Sequence, residues 1–162
     1  MMNRALEAFC NGQFVIVTDD AFRENEGDLI IAATNLSSEQ MAFMIRHTSG
    51  VVCVAMENDR ARILDLPPMV TRNEDVKRTA FTVSVDAKAH LTTGISAAER
   101  ANTVRALADP NSSEFDFVRP GHVFPLRAVD GGLSVRRGHT EAAVALCELT
   151  SQIKVAAISE IV

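Results

Sequence analysis

The sequence has no tryptophan and no tyrosine, and no basic run is longer than the two residues of Arg136-Arg137. With a net charge of −5 it also lacks the basic patch and stacking aromatics of a nucleic-acid binder. A nucleic-acid partner is therefore excluded, and only a small anion held by local basic groups stays open. No apolar run approaches the roughly 20 residues of a membrane span, so no membrane partner is expected. The opening Met1-Met2-Asn3-Arg4-Ala5-Leu6-Glu7 lacks the apolar stretch of a signal peptide, which points to the cytoplasm. Cysteine is scarce too. Cys10, Cys53 and Cys147 are odd in number, widely spaced and form no C-x-x-C pair. Neither a zinc ribbon nor a disulfide framework is indicated, and three reduced, buried thiols are expected.

What is present reads as one domain of 162 residues with alternating elements. Helices are expected over 3–11, from a capping box at Ser37–Gln40 to about Gly50, around 58–64, from a second capping box at Ser96–Glu99 to Ala108, and over 140–150. Strands are expected over 13–18, 28–33, 51–56, 79–85, 122–128 and 154–161. Residues 109–121 read as turn, and Pro125 suggests an edge strand or a bulge. The alternation predicts an α/β (α+β) fold, with helices covering a mixed β-sheet.

Four segments carry candidate chemistry. Asp19, Asp20, Glu24, Glu26 and Asp28 crowd between two apolar strands. Alternate residues of an extended segment point the same way, so Glu24, Glu26 and Asp28 are expected on one face. Like charges this close repel unless a cation or an arginine neutralises them. Such oxygen ligands suit Mg²⁺, though the cluster also fits a solvated acidic turn. The second segment, Gly131-Gly132 followed by Arg136-Arg137-Gly138-His139-Thr140, runs into a helix. Free backbone N–H groups at a helix start bind phosphate, arginine adds a charged fork, and His139 beside them is free to ligate a metal. A plain helix start with exposed arginines fits as well. In the third segment two prolines frame His122, which suits either an acid–base or a structural imidazole. The fourth, Thr92-Thr93-Gly94-Ile95-Ser96, is a polar turn that offers a second anion cradle, although helix capping alone explains Ser96.

Six segments, in order, resemble the 3,4-dihydroxy-2-butanone 4-phosphate synthase family: RENEGD (23–28), RHTSG (46–50), AFTVSVDA (80–87), TTGISA (92–97), RPGHVFPLRA (119–128) and RRGHTEA (136–142). The resemblance runs from about residue 5 to the last residue. It implies a single domain over 1–162 and a riboflavin-pathway lyase. The reaction converts D-ribulose 5-phosphate to L-3,4-dihydroxy-2-butanone 4-phosphate and formate. It also implies two Mg²⁺ ions per site, with Mn²⁺ as a substitute, and a homodimer. By this resemblance Glu24 and His139 are the metal ligands, and both also touch substrate. Arg23, Asp28, Arg136, Arg137, Gly138 and Thr140 are substrate contacts, with the 136–140 loop holding the phosphate. His122 and Glu160 are the catalytic pair, and Cys53 lies near the substrate.

The sequence departs from the family pattern at three places. Phe22 stands where aspartate is usual, and Glu99 precedes Arg100 where aspartate is usual. The family also continues past Glu160 through an Asn-Asp-Asp-Gly turn, a helix and a strand, whereas this sequence stops at Val162. The expectation is a domain without that helix and strand, with Glu160 near a free end and apolar surface left for a partner subunit to cover. The alternative reading is a non-catalytic or altered-substrate homologue that still binds a sugar phosphate and magnesium.

Overall fold

The structure, a computed structural model, describes residues 2–20 and 22–161; Ala21, inside the polar segment after the first strand, lies outside them. Among the described residues six strands form one sheet in the order β1-β2-β6-β3-β5-β4. They are β1 (Val15–Thr18), β2 (Gly27–Ala32), β3 (Cys53–Met56), β4 (Val85–Ala87), β5 (Phe117–Arg127) and β6 (Val155–Glu160). Of these pairs β3–β5 is parallel and the others are antiparallel, so the sheet is mixed.

Strand alternation divides the core in two. On β2, β6 and β3 one set of side chains (Leu29, Ile31, Val54, Met56, Val155, Ala157) faces helices α2 (Ser38–His47), α3 (Asn58–Ile63) and α4 (Ala97–Ala108). The intervening set (Ile30, Ala32, Cys53, Ala55, Ala156, Ile158) faces α1 (Met2–Cys10) and α5 (His139–Leu149). The period of two that defines a strand thus produces three layers, with near-continuous apolar runs in the central strands because both faces are covered. By the same parity Asp28 and Glu160 lie on the α5 face, where they are register partners across β2 and β6.

The first capping box forms as expected. Ser37 accepts the Gln40 N–H, and the Gln40 side chain accepts the Ser37 N–H. The second does not close. Ser96 accepts from the Glu99 N–H, but the Glu99 carboxylate instead accepts the N–H groups of Thr92 and Gly94 and the hydroxyls of Thr92 and Ser96. These four bonds hold it at a pKa of about 2. The anion in the 92–96 cradle is therefore the protein's own.

Two strand expectations need correction. Residues 79–84 make only isolated bridges, and regular pairing starts at Val85. The Thr82 N–H reaches the Pro125 carbonyl while the Val83 N–H reaches Pro67, so the segment bonds alternately to two neighbours and joins neither ladder. A bulge between Val85 and Asp86 marks the break. Conversely β5 begins at Phe117, inside the segment read as turn. Gly121 makes this feasible, because a Cβ there would collide with the Val85 backbone. β5 is also not an edge strand. Pro125 turns its carbonyl, and hence its ring nitrogen, toward Thr82, and so costs the β3 ladder nothing.

β6 is an interior strand, paired with β2 on one side and β3 on the other. Its end is pinned by the Ser49 N–H on the Glu160 carbonyl and by the Ile161 N–H on the Gly27 carbonyl. The RHTSG segment thus acts as a clasp, with Thr48 Oγ1 2.8 Å from Ser159 Oγ. Among the described residues no helix is long and apolar enough to cross a membrane.

The cysteine expectation holds for two of three thiols. Cys53 and Cys147 are buried, and burial pushes both up to about 12; Cys10, at the end of α1, is exposed. A disulfide-exchange reagent should therefore label one thiol quickly in the native protein and all three after denaturation. Rapid native labelling of Cys147 would contradict the packing described.

Candidate active site

The acidic loop does not stay extended. Residues 22–24 form a turn and Asn25 adopts φ of 55°, so the alternation that would align Glu24, Glu26 and Asp28 is broken. Glu26 is exposed and gives its backbone N–H to Asp19 Oδ1. Asp19 organises the loop. Its carboxylate also accepts the Glu24 N–H and takes Arg23 Nη1 at 2.7 Å. Burial alone would raise its pKa, but the N–H of Glu26, the Arg23 guanidinium and the Glu24 N–H outweigh that and bring it to about 2. Arg23 also pairs with Glu24, and Lys77 Nζ lies 3.9 Å from Glu24 Oε1 while donating to the Arg23 carbonyl.

Across the sheet, α5 starts at His139 with Gly138 as its N-cap. No side chain caps it, so the leading N–H groups have no intrahelical acceptor and point toward the end of the sheet that carries Asp28 and Glu160. Helix and basic loop are joined by a buried ion pair. Glu141, 1% exposed, takes Arg136 Nη1 at 2.7 Å and the Val129 N–H at 3.0 Å. Arg136 spends its remaining donors on the Lys77 carbonyl and Thr79. It is therefore a structural tie as much as an open cation. Arg137 is exposed, and among the described residues it makes no such tie.

These elements enclose two adjoining spaces. A small cavity of about 120 Å³ is lined by Arg23, Glu24, Asp28, Arg136, His139, Thr140 and Glu160, with Cys53 in its wall. A larger one of about 990 Å³ is lined by Asp19, Phe22, Lys77, Arg137, Gly138 and others, and shares Arg23 and His139 with the first. The structure thus brings together nine of the expected site residues from both ends of the chain. His122 lines neither space. Its parity puts it on the same face as Phe124 and Leu126, but on β5, two strand spacings or roughly 10 Å beyond β6. Phe22 is fully exposed, lines the larger space and is not among the residues that line the small cavity. Lys77 was not anticipated from the sequence, because it sits in a polar segment without pattern.

The electrostatics of the small cavity are unbalanced. Burial raises the Asp28 carboxyl; His139 opposes the rise, and Glu160, Glu24 and Glu26 add to it. His139 Nδ1 stands 3.2 Å from Asp28 Oδ1 without hydrogen-bond geometry, and among the described residues neither that oxygen nor His139 Nε2, both buried, has a hydrogen-bond partner. Buried polar atoms are rarely left so, and an unpartnered imidazole nitrogen beside surplus carboxylate suits a hard cation. Among the described residues no three His, Cys, Asp or Glu side chains converge as a complete ligand set.

Comparison with known proteins decides the family. The family model for 3,4-dihydroxy-2-butanone 4-phosphate synthase matches residues 3–162. This chain belongs to that family. A 3,4-dihydroxy-2-butanone 4-phosphate synthase of Pyricularia oryzae is 58% identical over 97% of this chain and 68% of its own length. The Saccharomyces cerevisiae enzyme of that name is 53% identical over 99% of this chain and 80% of its own. A crystal structure of a synthase in complex with two magnesium ions superposes with a TM-score of 0.97 at 56% identity, covering 99% of this chain and 74% of that one. A cation-free synthase structure gives 0.92 at 55% identity, with the same coverage.

Within this synthase fold the depressed Asp19 carboxyl makes a signed prediction. A carboxylate whose folded pKa lies below its ordinary 3.8 adds stability above that value and loses it as pH falls toward about 2. Urea unfolding from pH 6 to pH 2 should show a constant deficit for Asp19→Asn above about pH 5 that shrinks below pH 4. A deficit independent of pH would contradict the assignment.

Proposed function

We propose that this chain is an active lyase that converts D-ribulose 5-phosphate to L-3,4-dihydroxy-2-butanone 4-phosphate and formate. The observation that carries the reading is the meeting of Glu24, Asp28, Glu160 and the unpartnered Nε2 of His139 in one cavity, beside the open N-terminus of α5. The reaction redistributes the atoms of one sugar phosphate between two products, so it needs no oxidant and no second substrate.

The substrate phosphate fits the N–H groups leading α5, with Thr140 and the exposed Arg137 as further donors. Gly138 lets the anion approach that backbone closely. Arg136, braced by Glu141 and Lys77, holds the loop in position and faces the cavity. Glu24 and His139 are the two protein ligands for magnesium, or for manganese in its place, and Asp28 orients the His139 ring. The bound ions supply Lewis-acid polarisation of the sugar oxygens. Arg23 and Asp28 then fix the sugar hydroxyls, so that one carbon faces the proton-transferring group. Glu160, on the pinned end of β6, takes and returns a proton at substrate carbon or oxygen. His122 handles a second proton transfer at an atom that Glu160 does not reach.

A homodimer goes with this function. Apolar side chains such as Phe115, Val76 and Leu149 stand exposed, and a second copy would cover part of that surface. The cytoplasm is the compartment proposed, because a doubly charged sugar phosphate does not cross membranes unaided.

With Mg²⁺ and ribulose 5-phosphate, the wild-type protein should release formate. Glu24→Ala and His139→Ala should each lose at least about 100-fold while keeping the native circular dichroism spectrum. No formate from folded wild-type protein would overturn the reading. Sedimentation should give twice the chain mass of 17.6 kDa, and a monomer would remove the dimer from it.

A further inference from the structure

Residues 67–83 form a loop whose two ends are bonded together. The Val83 N–H meets the Pro67 carbonyl at 3.0 Å, and the Met69 N–H meets the Phe81 carbonyl at 2.9 Å. The tip is stiffened from within. Asp75 receives the Thr79 N–H on its carboxylate at 2.7 Å and the Arg78 N–H on its carbonyl at 3.0 Å, and Asn73 Nδ2 donates to the Thr79 carbonyl. Arg78 takes φ of 55° to close this turn. A compact surface loop with joined ends commonly carries a functional side chain. Here the tip carries Lys77.

Lys77 spans the two halves of the site. Its carbonyl accepts Arg136 Nε at 3.3 Å and Nη2 at 3.2 Å, which fixes its backbone to the basic loop. Its side chain runs to the acidic loop, where Nζ donates to the Arg23 carbonyl at 2.9 Å and stands 3.9 Å from Glu24 Oε1. The other Glu24 oxygen, Oε2, pairs with Arg23. Each oxygen of this carboxylate therefore faces a positive group of the protein. The two groups are held unequally. Arg23 is also braced by Asp19 at 2.7 Å. Lys77 Nζ has three donors and, among the described residues, one hydrogen-bond acceptor, the Arg23 carbonyl. Its side chain is 35% exposed, on a flexible four-carbon stem that lines the larger space. Such a stem lets the ammonium leave Glu24 for water without unpacking the core.

We propose that Lys77 is a competing counter-cation at Glu24: its ammonium and a divalent metal exclude each other at Oε1, so that Lys77 holds metal affinity down and is displaced when the metal binds. The proposal rests on the reading that Glu24 ligates the metal. The Glu24 side chain is 21% exposed, and a carboxylate so withdrawn from water needs a positive neighbour. Lysine supplies compensation that can be withdrawn, which an arginine braced by Asp19 does not. A magnesium ion bonds its ligand oxygens at about 2.1 Å, so an ammonium that stays 3.9 Å from the same oxygen faces it across a short gap. Like charges at that range repel, and in a partly exposed site salt screens the repulsion.

The test is Mn²⁺ binding to the whole chain without substrate, followed through the electron paramagnetic resonance signal of the free ion. Lys77→Met keeps the apolar stem and removes the charge. It should tighten Mn²⁺ binding about 3–30-fold at low ionic strength, and the gain should shrink as salt rises to about 0.5 M. Lys77→Arg, which keeps the charge, should stay close to wild type. Unchanged or weaker binding by Lys77→Met overturns the proposal, and so does a gain that salt leaves untouched. If Lys77→Met does not fold, Lys77→Gln takes its place with the same expected result. Glu24→Ala separates the two levels. Wild-type affinity in that variant sinks the reading of Glu24 as a ligand. Loss of the ion from Glu24→Ala, beside wild-type affinity in Lys77→Met, sinks only the role of Lys77.

Discussion

The antiparallel pairing of β2 with β6 sets Asp28 opposite Glu160 on the face covered by α5, and the rest of the site is arranged around that register. A slip of one residue by either strand would send its carboxylate to the other face, under α2 and α4. The register is secured by apolar residues on both faces of the two strands, by the Ser49 clasp on Glu160 and by the Gly27 carbonyl beyond it. Packing in the core thus fixes a polar geometry at its rim. Residues from the two ends of the chain meet there.

Bringing carboxylates together under a helix creates a charge problem, which the fold solves unevenly. Asp19 is satisfied by Arg23 and two backbone N–H groups, and Glu141 by Arg136 and Val129. Glu24 is shared between Arg23 and Lys77. Asp28 and His139 are left with unpartnered buried atoms. The satisfied pairs make a frame, and the unsatisfied ones mark where a cation and an anionic substrate are to be accepted. A buried carboxylate kept without its counterion is costly in a protein interior, so such an imbalance points to function.

Much of this was legible in the sequence, and the failures have physical causes. The Ser37 box, the helix starts and the central strands followed from local chemistry. The acidic and basic loops were found because charge density and a glycine before a helix are local signals. The expected alignment of Glu24, Glu26 and Asp28 failed because Asn25 enters the left-handed region, which composition does not announce. The start of β5 was missed because Pro120-Gly121 reads as a turn, yet the strand uses that glycine for close packing against Val85. The cradle at 92–96 resembled an anion site because it is one, filled by Glu99. Lys77 gave no local signal at all. It acquires meaning only from a partner distant in sequence, the Arg23–Glu24 pair.

In the proposed site Glu24 and His139 hold one cation between the acidic loop and the start of α5. Manganese broadening of the histidine ring resonances tests it without relying on turnover. Substoichiometric Mn²⁺ should selectively erase the His139 ring signals of the wild-type protein, leave those of His47 and His90 sharp, and spare His139 in Glu24→Ala. If the His139 signals persist in wild type, or vanish equally in Glu24→Ala, the two residues do not share a metal and the account of the site is wrong.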